Sequence, residues 1–387
     1  MLSHMRQMPR RQFGFLIATV PFALSAQSST RKYKAAIIGN TGKGDYGHGM
    51  DVVFNDHPRI EVTAFADANF NGKPRAPKLY AAYTEMLSKE KPDLVSVATR
   101  WTDEHFAMCM AALKAGAHLF VEKPFTQTLD EADQILAVAK ERNRKIIVAH
   151  QMRLAPSVQH LKNALESGLI ADLLEIRAHG KQDARAGGED MIVLGTHLFD
   201  MMRSFAGDPR WCTAQILQDG QEVTRVNIRK ATEGIGPILG NEISAQFSFA
   251  NGVVGSFTSR AKNRDIAGHW GLHLIGTKGV VRVMADVVPT VWIVKGNEWS
   301  DSGKTDQWQR LESDPTLKWG KDEKAFGLAN RRLLDDWLAA IEDNREPVCS
   351  GYNGMKALEI CMGVFEAGLN RARVTFPLGN RKHPLAA

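Results

Sequence analysis

The sequence has little cysteine, no long apolar run and no strong excess of charge. Four cysteines among 387 residues are too few and too scattered for a disulfide framework or for a metal site of the usual spacing. The formal net charge of +6 is modest, and no basic stripe is interleaved with aromatic residues, so nucleic acid is not an expected partner. No cluster of histidine, cysteine and carboxylate residues suggests a metal, and none is predicted.

The first 29 residues have the features of an export signal. The segment Met1–Arg11 is basic, and residues 13–26 are apolar but fewer than the ~20 that a membrane span needs. Between them, Arg10-Arg11 resembles a twin-arginine signal. A disordered basic N-terminus and an uncleaved anchor are the alternatives. We predict residues 1–29 to be the signal, a periplasmic location, and no stable membrane span in the mature chain.

Residues 30–150 alternate apolar strands with amphipathic helices. Strands are expected at Tyr33–Ile38, Glu61–Ala66 and Asp93–Ala98, and a helix is expected to begin at Gly47. Strands that alternate with helices at this spacing predict a doubly wound parallel sheet, the α/β Rossmann class. We therefore interpret residues 30–150 as a dinucleotide-binding domain.

The turn after the first strand is the candidate pyrophosphate site. It contains Gly39, Asn40, Thr41 and Gly42, with threonine where the second glycine of the usual pattern falls. Asp67 ends the second strand, where a carboxylate can bind ribose hydroxyls and repel a 2′-phosphate, which favours NAD. Lys73 and Arg75 follow it and leave NADP open. Because a twin-arginine signal carries folded proteins and the periplasm offers no free nicotinamide pool, we expect a tightly bound cofactor.

The pattern changes after residue 150. Strands dominate, and Asn251-Gly252 and the segment 276–279 are hairpin signals between apolar strands. Helices are expected over Met191–Phe205, Asn330–Asp343 and Gly354–Asn370. We predict that residues 151–387 form an α+β domain with a mostly antiparallel sheet that binds the substrate and mediates oligomerisation.

A further strand expected in the nucleotide domain, His118–Val121, runs directly into Glu122-Lys123-Pro124. With Ala98-Thr99-Arg100 followed by His105, and with the segment 195–200 (GTHLFD), this sequence resembles the glucose–fructose oxidoreductase, inositol dehydrogenase and rhizopine-catabolism family (Gfo/Idh/MocA). The resemblance covers residues 33–377. It implies an NAD(P)-dependent oxidoreductase whose open sheet face mediates homo-oligomer contacts, with cofactor contacts at Thr99, His105, Glu122 and Gln151.

Oxidising a carbinol needs a hydride acceptor and a base. Lys123 is expected to hydrogen-bond the substrate oxygen, and His197 is the candidate base, although a core histidine is the alternative. Asp200 lies one helical turn further on, and it would orient His197 or bind a sugar hydroxyl. Family dehydrogenases carry an aspartate four residues before this histidine, but here Val193 stands there. Asp190 is the nearest possible substitute.

Further polar residues are expected to line the substrate cleft. Arg153 and Lys181 are the main candidates for substrate binding, and four other residues are weaker ones: Arg100, Trp101, Asp183 and Arg185. The leading hypothesis is an exported oxidoreductase acting on a sugar, polyol or related carbohydrate. A redox-neutral enzyme that cleaves glycosides with NAD is the second hypothesis, and a non-catalytic sugar or nucleotide sensor is the third.

Overall fold

The computed structural model describes residues 31–72, 76–261, 270–295, 308–311 and 324–386. The predicted export signal, Lys73 and Arg75 lie outside these residues, as does most of the polar segment 296–323. Residues 32–387 form one compact unit. No helix of the described chain is long and apolar enough to cross a membrane.

The predicted parallel sheet is confirmed. Six strands pair in the order β3-β2-β1-β4-β5-β6, and every pairing is parallel. The strands are β1 Tyr33–Ile38, β2 Ile60–Ala66, β3 Lys78–Tyr80, β4 Leu94–Val97, β5 His118–Val121 and β6 Ile146–Val148. Three helices alternate with them: α1 Tyr83–Glu90, α2 His105–Lys114 and α3 Leu129–Glu141. The carboxyl ends of β1, β4, β5 and β6 therefore meet at one edge, where such sheets bind ligands.

The helix expected after β1 is the one clear error in this domain. Residues 41–58 form a series of turns instead. The physical reason lies at Gly49, which takes a positive φ inside the expected helix, a conformation that an α-helix does not accommodate. Gly47 lies so close to the Glu122 carboxylate that a Cβ there would approach it to 2.5 Å.

The second sheet is mixed and mostly antiparallel, as predicted. Its order is β17-β16-β15-β14-β7-β13-β12-β8-β18, and β9 pairs with β8. Only the pairing of β7 with β13 is parallel. The strands are β7 Leu173–His179, β8 Trp211–Gln218, β9 Gln221–Glu222, β12 Glu242–Ser248, β13 Val254–Arg260, β14 Gly271–Gly276, β15 Gly279–Met284, β16 Thr290–Lys295, β17 Gln309–Arg310 and β18 Val374–Thr375; β10 Ile228–Lys230 and β11 Pro237–Leu239 pair separately.

Helices from the later part of the chain join the two sheets. They are α4 Pro156–Glu166, the short α5 Gly188–Asp190, α6 Thr196–Ala206, α7 Lys324–Glu342 and α8 Gly351–Asn370. Trp337 of α7 is fully buried in one core with Tyr33, Ile37 and Phe120 of the parallel sheet. The backbone N–H of Val148 in β6 donates to the carbonyl of Cys349, just before α8. The C-terminal helices thus complete the core beneath the nucleotide-binding edge.

Candidate active site

The glycine turn surrounds Asp67, which follows β2. Asp67 is 5% exposed, and its Oδ2 accepts hydrogen bonds from the Thr41 N–H (2.9 Å) and the Thr41 hydroxyl (2.8 Å). The Tyr46 hydroxyl donates to the same oxygen. The Tyr46 ring lies against Gly39, where a Cβ would collide with it. Three protein donors therefore converge on one oxygen of the carboxylate that the sequence assigns to ribose, and the Asn69 N–H donates to the other at 3.0 Å.

The outer part of the turn is open. Gly42 has φ +87°, and no atom lies within 4 Å of the position that a Cβ would take there. Its N–H donates to Asp45 at 2.8 Å, and Asn40 donates to Glu104 at 2.6 Å. A glycine turn at the carboxyl end of β1, with free space above it and a carboxylate after β2, fits a dinucleotide. Ribose hydroxyls would share or replace the present donors to Asp67.

Thr99 and His105 are buried at the loop that follows β4. Thr99 is 1% exposed and His105 is 0% exposed. The two ring nitrogens of His105 lie 2.8 Å from the Thr99 carbonyl and 3.1 Å from the Phe125 carbonyl. His105 therefore joins the loops that follow β4 and β5. The His105 side chain is enclosed, and its contact with a cofactor stays a prediction from the sequence.

Glu122 and Lys123 follow β5 at the ligand-binding edge. The Lys123 ammonium donates to the Val193 carbonyl at 3.1 Å and lies 3.6 Å from Glu122 Oε1. Burial raises the pKa of Glu122, and the charge of Lys123 opposes that shift. Lys123 is 9% exposed, so its charged end is held at the base of the cleft.

The acceptor for Lys123 comes from an irregular helix. Residues Met191–Gly195 wind as a π-helical turn that continues into α6, a feature that is frequent at functional sites. The Val193 side chain cannot act as the missing aspartate, but its backbone carbonyl binds Lys123. Asp190 Oδ2 accepts from the Gln182 N–H and the Ser259 hydroxyl, and Asp190 Oδ1 is buried without a partner among the described residues.

One cleft brings most of the predicted site residues together. It has about 690 Å³ of empty space. Glu122, Lys123, Gln151, Lys181 and His197 line it. Residues that the sequence did not single out complete the wall: His48, Met152, Leu194, Trp270, Asp286, Val287 and Phe326.

His197 is neutral in this cleft at physiological pH. Burial lowers the pKa of His197 well below 6.5, and the nearby His150, Lys123 and His48 lower it further. Its Nδ1 is buried and has no hydrogen-bond partner among the described residues. A neutral imidazole keeps the lone pair that a base needs.

Arg153 and Asp200 lie beside the cleft but do not line it. Arg153 Nε and Nη2 each donate to one Asp200 carboxylate oxygen at 2.7 Å, and Nη2 also donates to the Asp200 carbonyl at 2.6 Å. Asp200 is 1% exposed. The two residues predicted to bind substrate are therefore paired with each other, and in this structure their polar groups are directed at the protein.

The weaker candidates form a separate group. Arg185 pairs with Asp183 at 2.7 Å and with Glu233 at 2.8 Å, and Arg100 lies 3.6 Å from Glu233. Trp101 packs against Gly44 and Gly234. None of these residues lines the cleft that contains Lys123. The described residues contain no group of three metal-ligating side chains.

A parallel sheet with a glycine turn, and a lysine–histidine cleft at its carboxyl edge, define a dinucleotide-binding oxidoreductase. The comparisons identify the family. The model of the oxidoreductase family's NAD-binding Rossmann fold matches residues 33–150, and the model of its C-terminal alpha/beta domain matches residues 178–376. The chain belongs to the Gfo/Idh/MocA family of oxidoreductases.

Relatives with assigned activities act on sugars and polyols. A D-apiose dehydrogenase of Paraburkholderia graminis is 24% identical over 87% of this chain and 88% of its own length. A myo-inositol 2-dehydrogenase of Thermotoga maritima is 24% identical over 73% of this chain and 82% of its own. A structure of levoglucosan dehydrogenase with NADH and levoglucosan aligns with a TM-score of 0.68 at 20% identity, over 90% of this chain and all of that one. These relatives support a carbohydrate oxidoreductase.

Proposed function

We propose that this protein is an exported, NAD-dependent oxidoreductase that oxidises a carbinol of a sugar, polyol or related carbohydrate. The observation that carries the proposal is the single cleft in which Lys123 and His197 meet at the carboxyl edge of the NAD-binding sheet. The proposal goes further than the family assignment, because it gives these two residues their roles.

Lys123 would bind the substrate oxygen. An ammonium has three N–H donors, of which one reaches the Val193 carbonyl and another points at Glu122. The third donor is available to the hydroxyl that loses its proton. The positive charge then stabilises the oxygen as negative charge develops on it.

His197 would take the hydroxyl proton. Its lowered pKa keeps the imidazole neutral, and therefore ready to accept a proton, across the physiological range. Bound NAD would supply the hydride acceptor. The turn at residues 39–42, Asp67, Glu122 and Gln151 are the residues we assign to holding it.

The rest of the cleft suits a polar ring with apolar faces. Trp270 and Phe326 present aromatic surfaces, and Lys181 and Asp286 present charged groups that can hydrogen-bond hydroxyls. Lys181 lies 5.9 Å from the Trp270 ring, so the two can contact the same ligand.

Three further elements belong to the proposal as expectations from the sequence: export through the signal at residues 1–29, cofactor retention during turnover, and homo-oligomerisation through the open sheet face. Asp67 supports NAD rather than NADP, since its carboxylate would repel a 2′-phosphate.

The first experiment is to purify the mature protein from its native compartment, denature it and identify any released nucleotide by mass and absorbance. Stoichiometric NAD(H) would support both export with the cofactor and retention. NADP(H) would overturn the assignment of Asp67. A protein that neither carries nor binds a nicotinamide dinucleotide would overturn the enzyme function.

The second experiment measures turnover on a panel of sugars and polyols. The proposal expects reduction of the nicotinamide, followed at its absorbance, and loss of turnover in His197→Ala with the nucleotide still bound. Products formed without net nicotinamide reduction would identify the redox-neutral glycoside-cleaving alternative. Sugar binding without any reduction would identify the sensor.

A further inference from the structure

His197 lacks the carboxylate that dehydrogenases of its family place four residues earlier, because Val193 stands there. The groups that face its ring come from four other parts of the chain. The His150 ring contacts it edge-to-face, with ring centroids 5.3 Å apart, and the Trp270 ring lies 6.4 Å away. Lys123 and His48 contribute the other nearby charges.

His150 follows β6 and lies between His197 and Asp200. It is 2% exposed, and its Nδ1 is 3.8 Å from Asp200 Oδ1. That carboxylate is fixed in place by the two-pronged hydrogen bonds from Arg153. The three buried groups therefore form a continuous row from Asp200 through His150 to His197.

The unpartnered nitrogens of this row are the ones that a hydrogen-bond chain would use. His150 Nδ1, His150 Nε2 and His197 Nδ1 are buried and have no hydrogen-bond partner among the described residues. His197 Nε2 is not one of the buried atoms that lack a hydrogen-bond partner. Buried polar groups in native proteins rarely lack partners, and catalytic hydrogen bonds are often long before the substrate is bound.

We propose that His150 is a positioning residue that couples His197 to Asp200. In this arrangement His150 Nδ1–H donates to Asp200 Oδ1, and His150 Nε2 accepts from His197 Nδ1–H. His197 is thereby held in the tautomer whose Nε2 lone pair is free for the substrate hydroxyl. When Nε2 takes the hydroxyl proton, the positive charge formed on His197 is stabilised by Asp200 through His150. This inference rests on the proposed function.

The charged and titratable surroundings are consistent with a neutral His150. Burial lowers the pKa of His150 to about 4, and the opposing charge of Asp200 and the charges of Arg153, Lys123 and Arg203 act on it as well. The Cys349 thiol donates to the His150 carbonyl at 3.5 Å, and burial raises its pKa, so it stays uncharged. A neutral imidazole has one N–H and one lone pair, as the row requires.

The test compares His150→Phe with His150→Gln, using the pH dependence of kcat/KM. Phenylalanine keeps a ring in the buried site but removes both nitrogens. We expect kcat to fall by about 10²-fold, which is the usual size of a proton-transfer contribution. Because the protonated His197 loses the stabilising influence of Asp200, the acid limb should move to lower pH. Glutamine can still donate and accept, so it should restore part of kcat.

His383→Phe is the matched control. His383 is also a buried histidine with an unpartnered nitrogen, but it lies against Phe365 and away from the cleft. It should leave the pH profile unchanged. An acid limb in His150→Phe that stays in place or moves to higher pH would overturn the proposal, because a merely repulsive or space-filling neighbour gives that result.

Two measurements keep the outcome separate from that of the proposed function. If His197→Ala retains full turnover, the proposed function fails. If His197 is required but both His150 variants keep the wild-type profile, only the coupling fails. Should the variants not fold, NMR of the wild-type imidazoles decides: the proposal expects the Nδ1–H tautomer for both histidines, and an Nε2–H tautomer on His150 would overturn it.

Discussion

Asp67 and Asp200 were both predicted to bind ligands, and both are almost completely enclosed, yet their partners differ in kind. Asp67 is held by the hydroxyls of Thr41 and Tyr46 and by the backbone N–H groups of Thr41 and Asn69. Asp200 is held by the guanidinium of Arg153 through two parallel hydrogen bonds. Hydroxyl donors can be exchanged for the hydroxyls of a ribose at little cost, whereas a charged, two-pronged partner is lost only with a large penalty.

This difference indicates that the type of hydrogen-bond donor, hydroxyl or guanidinium, determines the role of a buried carboxylate. Asp67 lies at the edge of a turn with open space beside Gly42, so a ligand can reach its neighbours. Asp200 lies in the middle of α6, where its carboxylate contacts Arg153 and His150. We therefore assign ligand binding to the first aspartate and a structural and electrostatic role to the second.

The largest expected effect is from Arg153→Leu. It leaves Asp200 as a buried carboxylate without its counter-charge, which should lower the free energy of unfolding by about 3–5 kcal/mol. Urea denaturation measures this. Arg177→Leu is the control, since Arg177 pairs with Glu175 on the surface and should cost less than about 1 kcal/mol. If both variants lost the same free energy of unfolding, the Arg153–Asp200 pair would have no special structural role.

Acid pH should have the next largest effect on stability. Burial lowers the pKa values of His150 and His383 to about 4. Below pH 6.5 these two histidines therefore bind protons in the unfolded chain but stay neutral in the folded chain. Stability is therefore full above pH 6.5 and falls as the pH drops toward 4, by up to about 1.4 kcal/mol per unit for each histidine.

Urea midpoints at pH 7, 6 and 5 test this slope. His383→Phe and His150→Phe should each make the decline less steep, because each removes one histidine that must be kept neutral. A decline as steep in both variants as in the wild type would mean that other groups cause the acid sensitivity.

Asp67→Asn should have a smaller, local effect. The amide removes the charge from the hydrogen bonds that a ribose would make, and such bonds are worth about 1.5–3 kcal/mol, or roughly 10- to 100-fold in affinity for NADH. Fluorescence titration with NADH and NADPH measures it, and the preference for NADH should shrink. Unchanged affinities for both would place the ribose elsewhere.

The smallest expected effect is that of Tyr46→Phe. The ring still packs on Gly39, but one competitor for Asp67 Oδ2 is removed, so NADH should bind more tightly, by about two- to tenfold. Tyr80→Phe is the control, because that hydroxyl donates to Glu90 at the end of α1 and not to Asp67. Weaker binding in Tyr46→Phe would instead identify the phenol as a ligand of the cofactor.

The sequence predicts this molecule well where the signal is local. The strand that runs into Lys123 sets that lysine at the ligand-binding edge, since parallel strands share a direction. The helix after β1 was wrong because Gly47 and Gly49 pack closely against Glu122 and Asn330, and no local pattern contains those long-range contacts.

Long-range pairs account for the rest. Arg153 and Asp200 are 47 residues apart, and each alone reads as a plausible substrate ligand. Trp270 and Phe326 reach the cleft from the second sheet and the region of α7, far from the motifs of the first domain. His150 adjoins the predicted Gln151 but carries no motif of its own, and only the folded arrangement places it beside His197.

The position of α7 and α8 has a consequence for how the protein is made. The nucleotide-binding sheet is synthesised first, but its core contains Trp337, and β6 is bonded to the chain just before α8. A ribosome that has completed only the first 150 residues has therefore produced a sheet with one apolar face uncovered. The core of the first domain is therefore complete only after α7 and α8 have been synthesised.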